Sequence, residues 1–302
     1  MSLADAEHFV RSPEWTWYIL FYFFLAGLSG GSYVIATLLR LGNRLDEPVA
    51  RLGYYVAFIT LLGCPVLLTL DLGQPLRFWH MLVNTTPGNT GLNFKYWSPM
   101  SVGTWALVVF GVFATVSFLD ALVRDRAGRA VLGGAVGTVW SVLGAVAGLF
   151  VTGYTGVLLA VSNQPVWSDT WALGGLFLAS GLSGSAALLA WLARYRRDSG
   201  GTLPGLLRGE RLFQVLELAL IVTFAVTLIP AGALDQAFGL PWAVLWAVAL
   251  VGIGTGFFGA ARPHLGSDGT AAAVGRAAAV VPAILVLIGV LALRAAVIFS
   301  AQ

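Results

Sequence analysis

The sequence predicts an all-α integral membrane protein with about eight transmembrane helices in two four-helix bundles, both termini facing the outer side. Of its 302 residues, 58% are hydrophobic and only 10% charged, against about 25% charged in an average soluble protein. The apolar residues gather into runs of the roughly 20 residues that a spanning helix needs. The 37 glycines lie mostly inside these runs, where small residues let helix backbones approach closely.

The first run, about 15–39, opens on aromatic residues from Trp15 to Phe24 and carries Gly27-Leu28-Ser29-Gly30-Gly31 near its middle. The second, about 51–71, ends on Asp71. A long connection, 72–97, follows, in which Leu76 to Leu82 suits a short amphipathic helix at the membrane interface. Spans at about 98–122 and 131–160 come next, the latter long enough to tilt. Spans at about 170–193, 212–231, 240–260 and 274–299 complete the set. The polar stretch 194–211 reads as a loop too short to form a domain.

Arginine placement sets the orientation, because loops rich in Arg and Lys stay on the cytoplasmic side. The connections after spans 1, 3, 5 and 7 carry Arg40, Arg44, Arg51, Arg124, Arg126, Arg129, Arg194, Arg196, Arg197, Arg208, Arg211, Arg262 and Arg276. The opposite side has Arg11, Arg77 and Lys95, and Arg294 lies within the last span. No basic segment precedes the first span, so the expectation is an uncleaved first helix that acts as its own signal.

The halves echo each other. Gly27-Leu28-Ser29-Gly30 returns as Gly181-Leu182-Ser183-Gly184, and Trp17, Phe23, Ala36, Leu38 and Arg40 match Trp171, Phe177, Ala190, Leu192 and Arg194 at the same offset. Both segments run from outside to inside, which suits a parallel repeat of two bundles, residues 1–162 and 163–302. Chance matching of small-residue and leucine runs is the alternative.

Several chemistries are excluded. Cys64 is the single cysteine, which rules out an intrachain disulfide, a four-cysteine zinc site and an iron–sulfur cluster. His8, His80 and His264 all fall in tails or loops, leaving no bis-histidine haem ligation within the spans. The chain is therefore expected to hold no metal of its own. The net charge of +3 lacks a basic stripe with interleaved aromatics, so nucleic acid is not an expected partner. Gly27-Leu28-Ser29-Gly30-Gly31 matches a serine-hydrolase pattern but sits inside a span, not on a strand-to-helix turn.

Ionisable groups inside a membrane mark candidate sites. Asp71, Arg77, Arg294 and Glu14 all map near the outer face, where they could share one layer or simply pair at the interface. Tyr22 and Tyr154 lie at a common depth, about 10 Å below that face at the helical rise. A phenol there can hydrogen-bond a lipid-soluble ligand, or sit in an interfacial aromatic belt. Gly153 and Gly156 flank Tyr154 and would leave room beside its ring. Glu217 reads as a helix-pairing or snorkelling carboxylate, and Asp120 as a solvated one near a span end. The mid-depth of the bundles reads as nearly free of charge.

Six segments, in order, carry a family likeness: Glu14-Trp15-Thr16-Trp17; Gly27-Leu28-Ser29-Gly30-Gly31; Asp71-Leu72-Gly73-Gln74-Pro75-Leu76-Arg77-Phe78-Trp79; Tyr96-Trp97-Ser98-Pro99-Met100-Ser101; Gly153-Tyr154-Thr155-Gly156-Val157-Leu158-Leu159; and Asn163-Gln164-Pro165-Val166-Trp167. Together they resemble the NrfD-like family of membrane subunits, typified by the polysulfide reductase membrane anchor, most strongly over 14–185. The resemblance implies a menaquinone or ubiquinone site near the outer face of a bacterial or archaeal cytoplasmic membrane. It also implies an iron–sulfur subunit docked outside, beside a molybdenum-containing catalytic subunit. It places the quinone-binding tyrosine on Tyr154 and a span 1 contact, histidine in some members, on Tyr22. The acidic residue ending span 2 corresponds to Asp71, and the arginine of the last span to Arg294.

The expected mechanism has Tyr154 and Tyr22 bonding the quinone head group and Asp71 exchanging protons, with Arg77 and Arg294 biasing the potential. Electrons pass to the docked partner. The rival readings are a secondary transporter, which would need unwound helices at mid-depth, and a passive anchor for a soluble enzyme.

Overall fold

The computed structural model describes residues 13–42, 47–196, 201–259 and 269–302. His8, Arg11, Arg44, Arg197, Arg262 and His264 lie outside the described residues, as does the side chain of Arg276.

Nearly all of the structure is helical. The helices are α1 (Trp17–Gly42), α2 (Glu47–Asp71), α3 (Pro99–Ala127), α4 (Gly134–Ala160), α5 (Leu173–Ala193), α6 (Leu203–Leu228), the short α7 (Leu234–Phe238), α8 (Trp242–Gly259) and α9 (Gly269–Phe299). Among the described residues seven, α1 to α6 and the Val280–Phe299 part of α9, are long and apolar enough to cross a membrane. At 18 residues, α8 is about 27 Å long at 1.5 Å per residue, just short of a hydrocarbon core of ~30 Å.

Local sequence sets the helix ends. Ser98 caps α3 by accepting from the Ser101 amide, Pro99 opens the helix, and Gly128 closes it at φ 64° with its N–H on the Arg124 carbonyl. Pro65 in α2 and Pro282 in α9 lie within continuous helices. Helix α6 begins at Leu203, well before the expected start at 212. Residues 203–211 of the stretch read as a polar loop therefore belong to a helix that buries Glu210.

The connection between α2 and α3 is more structured than a lone interfacial helix. A 3-10 turn (Pro75–Met81) leads into an antiparallel hairpin of β1 (Val83–Thr86) and β2 (Asn89–Leu92), with Val83 opposite Leu92 and Thr86 opposite Asn89. Pro87 and Gly88 make the turn, and Gly88 takes φ 86°, a position that favours glycine. None of the 3-10 residues is buried. This side of the molecule is called the hairpin end below, and the other the arginine-rich end.

Helices α1 to α4 contact one another in a ring, α1 on α2, α2 on α3, α3 on α4 and α4 on α1. The later helices do the same through α5, α6, α8 and α9. The rings meet where α1 packs on α5 and α4 on α5. At that crossing the two Gly-Leu-Ser-Gly stretches lie against each other: a Cβ on Gly27 would stand 3.5 Å from the Gly181 Cα, and one on Gly31 only 2.7 Å from the Gly181 carbonyl. Bare glycine faces let these backbones touch, as membrane helix pairs require.

Asp120 is not solvated. It is only 3% exposed and anchors the arginine-rich end. Its Oδ1 accepts from the Val131 and Leu132 amides at 2.8 and 2.7 Å, and its Oδ2 from Arg124 Nε at 2.9 Å. Arg124 also reaches Glu47 at 2.9 Å, and Arg40 and Arg124 both donate to the Leu132 carbonyl at 2.6 Å. The carboxylate folds the α3–α4 loop back over itself, and that loop shields it. Sequence position alone could not reveal this.

Candidate functional site

At the hairpin end, α3 and α4 enclose a groove of about 390 Å³. Its walls include Trp97, Pro99 and Val102 on one side and Phe150, Gly153 and Tyr154 on the other. The lining is mostly apolar and aromatic, and Tyr154 brings a hydroxyl to it. Such a cleft, with few polar groups, is the usual form of a small-molecule site.

Tyr154 is held on three sides. Its ring stacks on Phe150 with centroids 5.6 Å apart and planes at 20°. Its hydroxyl donates to the Pro99 carbonyl in the first turn of α3. Gly103 admits the ring, since a Cβ there would collide with both the ring and its hydroxyl. Gly156 does not leave room for a ligand: an added Cβ would strike the Leu173 carbonyl of α5, so this glycine serves the α4–α5 contact. Gly153 does line the groove.

Of the residues singled out from sequence, Tyr22 is buried and lies within electrostatic range of Cys64 and Tyr154, outside the groove's lining. Asp71, at the end of α2, accepts a hydrogen bond from the Thr16 hydroxyl just before α1. Arg77 is exposed on the 3-10 turn.

Arg294 does not join this layer. It is 0% exposed and sits between α5 and α9. One guanidinium nitrogen donates to Ser180 Oγ at 2.7 Å and the other to the Phe177 carbonyl at 3.2 Å, with the Phe177 ring 5.1 Å below. A Cβ on Gly27 would meet it, so the bare face of α1 is what admits the cation. Its charge faces Glu217, which is 1% exposed and accepts from Ser183 Oγ at 2.6 Å. Glu217 lies about 21 Å along α6 from its start at the helical rise. The interior at mid-depth therefore holds a cation and a carboxylate, contrary to the expectation of a nearly charge-free centre. A long side chain on α9 leans back toward the helix N-terminus, carrying its charge inward from Arg294's own level.

The NrfD family, described as polysulphide reductase, matches residues 6–302. The chain belongs to the NrfD family. The match takes in both helix rings, including the later half, where the motif likeness is weaker. The C polypeptide of polysulfide reductase from Wolinella succinogenes is 27% identical over 210 residues, covering 65% of this chain and 63% of that protein. The C polypeptide of selenate reductase from Mesobacillus selenatarsenatis is 36% identical over 77 residues, 25% of this chain and 18% of that protein. The aligned parts thus span under two thirds of either relative. Both relatives are named as components of reductases, and this chain is a multi-pass, mainly helical membrane protein of the NrfD family.

Glu217 pairs with α5 through Ser183, in line with the helix-pairing reading, whereas Glu210 and Gln214 were passed over in the sequence. Their spacing on α6, four and then three residues apart, places all three on one helix face, and that spacing was the available signal.

Proposed function

We propose that this chain is the quinone- or quinol-binding membrane subunit of a respiratory oxidoreductase complex. It would exchange electrons between the membrane quinone pool and an iron–sulfur subunit docked at the hairpin end, beside a molybdenum-containing catalytic subunit. The observation that carries this reading is the aromatic groove ending on Tyr154 in a chain of the NrfD family. The arginine count makes the hairpin end the outer face, with both termini there and eight crossings in two bundles. The closed contacts of each helix ring support the division at 162/163.

The groove suits a flat, apolar ring with polar edges. Trp97 and Phe150 would flank the head group, and the isoprenoid tail would lie along the apolar helix flanks. A bound quinone supplies two-electron, two-proton redox chemistry. The protein's part is to position and to handle protons. The Tyr154 proton is committed to the Pro99 carbonyl, so its Oη offers lone pairs. It therefore accepts from a quinol O–H more readily than it donates to a quinone carbonyl. Tyr22, buried within electrostatic range of Tyr154, would help keep water from the interior side of the site. Asp71, held by Thr16 near the outer surface, receives the released proton and passes it to water. Arg77, exposed on the same end, favours an acidic partner surface. Arg294 is too far enclosed by α5 and α9 to touch the head group.

The continuity of every described spanning helix speaks against the transporter reading, which needs breaks at mid-depth. Tyr154→Phe tests the proposal in the purified complex. Quinol oxidation should fall by about tenfold, the effect of losing one well-placed polar contact worth ~1.4 kcal/mol, while the unfolding midpoint stays within a few degrees. Unchanged turnover would remove Tyr154 from the site. Insensitivity of turnover to Trp97→Ala and Asp71→Asn as well would leave a passive anchor.

A further inference from the structure

The later helix ring contains a file of buried polar groups that the quinone groove does not use. Glu210, Gln214 and Glu217 follow one face of α6, and all three are buried. Gln214 Nε2 donates to Glu210 Oε1 at 3.3 Å. Gly256 of α8 makes the space for Gln214, because a Cβ there would collide with its amide. Glu217 takes the Ser183 hydroxyl at 2.6 Å and faces Arg294.

The two ends of the file differ. At the arginine-rich end, the charges of Arg194 and Arg211 face Glu210, and both residues are only partly buried, so this end meets solvent. At the other end the file stops at Arg294, whose guanidinium is fixed by Ser180 and the Phe177 carbonyl over the Phe177 ring. No hydrogen bond among the described residues continues from there to Tyr154. Along the file, several buried polar atoms have no partner among the described residues: Gln214 Oε1, Arg194 Nε, Arg211 Nε and Arg294 Nε. Orphaned donors and acceptors in a membrane interior are costly. They point to water as the natural ligand of this file, since water can both donate and accept.

We propose that α6 carries a one-sided proton path, running from the arginine-rich face through Glu210 and Gln214 to Glu217 and closed there by Arg294. In each step a protonated Glu210 gives its proton to a water bonded to Gln214 Oε1. That water passes a proton to the Glu217 carboxylate, and Glu210 recovers one from the arginine-rich side. Ser183 donates to Glu217 and steadies the carboxylate between transfers. Arg294 supplies the fixed positive charge that keeps protons from going further. The path exchanges protons with one side of the membrane only, and it needs neither quinone nor a partner subunit.

Infrared spectroscopy of the purified full chain in detergent, without quinone, tests this directly. Lowering the pH should bring up a buried carboxylic-acid C=O band that is lost in Glu217→Gln, a near-isosteric change that keeps a Ser183 acceptor. On transfer to deuterated buffer this band should shift promptly in the wild type. In Gln214→Leu it should persist but shift about tenfold or more slowly, the loss of one relay step of ~1.4 kcal/mol. Overturning results are the absence of any band that Glu217→Gln removes, or exchange in Gln214→Leu as fast as in the wild type. Because no quinone is present, either failure leaves the reading of the groove intact.

Discussion

Helices α1 and α5 carry the same Gly-Leu-Ser-Gly stretch, cross each other at the centre of the molecule, and use the shared serine in different ways. Ser29 of α1 gives its hydroxyl to the Ala57 backbone carbonyl of α2 at 2.6 Å. The equivalent Ser183 of α5 gives its hydroxyl to the Glu217 carboxylate of α6 at the same distance. The neighbouring glycines differ as well. A Cβ on Gly30 would collide with the Gly148 carbonyl and Thr152 of α4, whereas one on Gly184 would meet side-chain tips, those of Val290, Leu28 and Leu287 at 3.3, 3.4 and 3.7 Å. One motif thus supplies close backbone packing in the earlier ring and a seat for buried charge in the later one. A repeated sequence keeps how helices approach each other, while the residues facing it decide what chemistry the approach serves.

The largest effect that would sharpen this contrast comes from Arg294→Ala. It removes the buried cation that acts electrostatically on Glu217 together with the hydrogen bonds to Ser180 and the Phe177 carbonyl, at about 1.5–3 kcal/mol for each bond from a charged donor, read as a large drop in the thermal midpoint in detergent. The double variant Arg294→Met with Glu217→Gln should recover most of that loss, because no charge is then left buried. A double variant no better than the single one would break the assignment of these two charges as a pair. Next, Ser183→Ala should cost about 1.5–3 kcal/mol, as expected for a hydrogen bond to a charged group. Gly30→Ala should cost about 1–3 kcal/mol through overpacking against α4, and Gly184→Ala less, since the tips it meets can move. Equal losses from the two glycine changes would mean that the rings pack alike. Ser29→Ala should be the smallest, about 0.6 kcal/mol, typical of a neutral bond between membrane helices. If Ser29→Ala matched Ser183→Ala in a denaturation series, the distinction between backbone and carboxylate acceptors would fail.

Much of the fold was legible because bilayer solvation leaves its mark directly on composition. A helix that must satisfy its backbone in lipid needs a long apolar run, and the runs at 15–39, 131–160 and 170–193 fall on α1, α4 and α5. The hairpin escaped because Val83–Thr86 and Asn89–Leu92 are short, although Pro87-Gly88 between threonine-rich stretches was a turn signal. The early start of α6 escaped because Arg208, Glu210 and Arg211 resemble a loop until Arg194 and the helix neighbours supply their environment.

The candidate site divides the same way. Tyr154 and Tyr22 were singled out from depth and aromatic context, and the structure buries both within electrostatic range of each other. Asp71 was found at its helix end, yet its partner is Thr16, a contact no spacing rule foretells. Asp120 was underrated because its burial depends on the loop that encloses it, while the helix-pairing reading of Glu217 agrees with its bond to Ser183 of α5.

By itself, the sequence determined that this chain lives in a bilayer, roughly where most of its long helices run, which connections carry the arginines, and which family it resembles. These follow from hydropathy, charge and motif order, properties each residue carries locally. Only the tertiary structure decided that Arg294 turns away from the hairpin end, that Asp120 folds its own loop over itself, and that one serine of a repeated motif meets a carbonyl and the other a carboxylate. Burial and partnership belong to pairs of residues far apart in the chain, such as Ser183 with Glu217 and Ser180 with Arg294. The electrostatic energy of a buried group is fixed by those partners and not by its own identity.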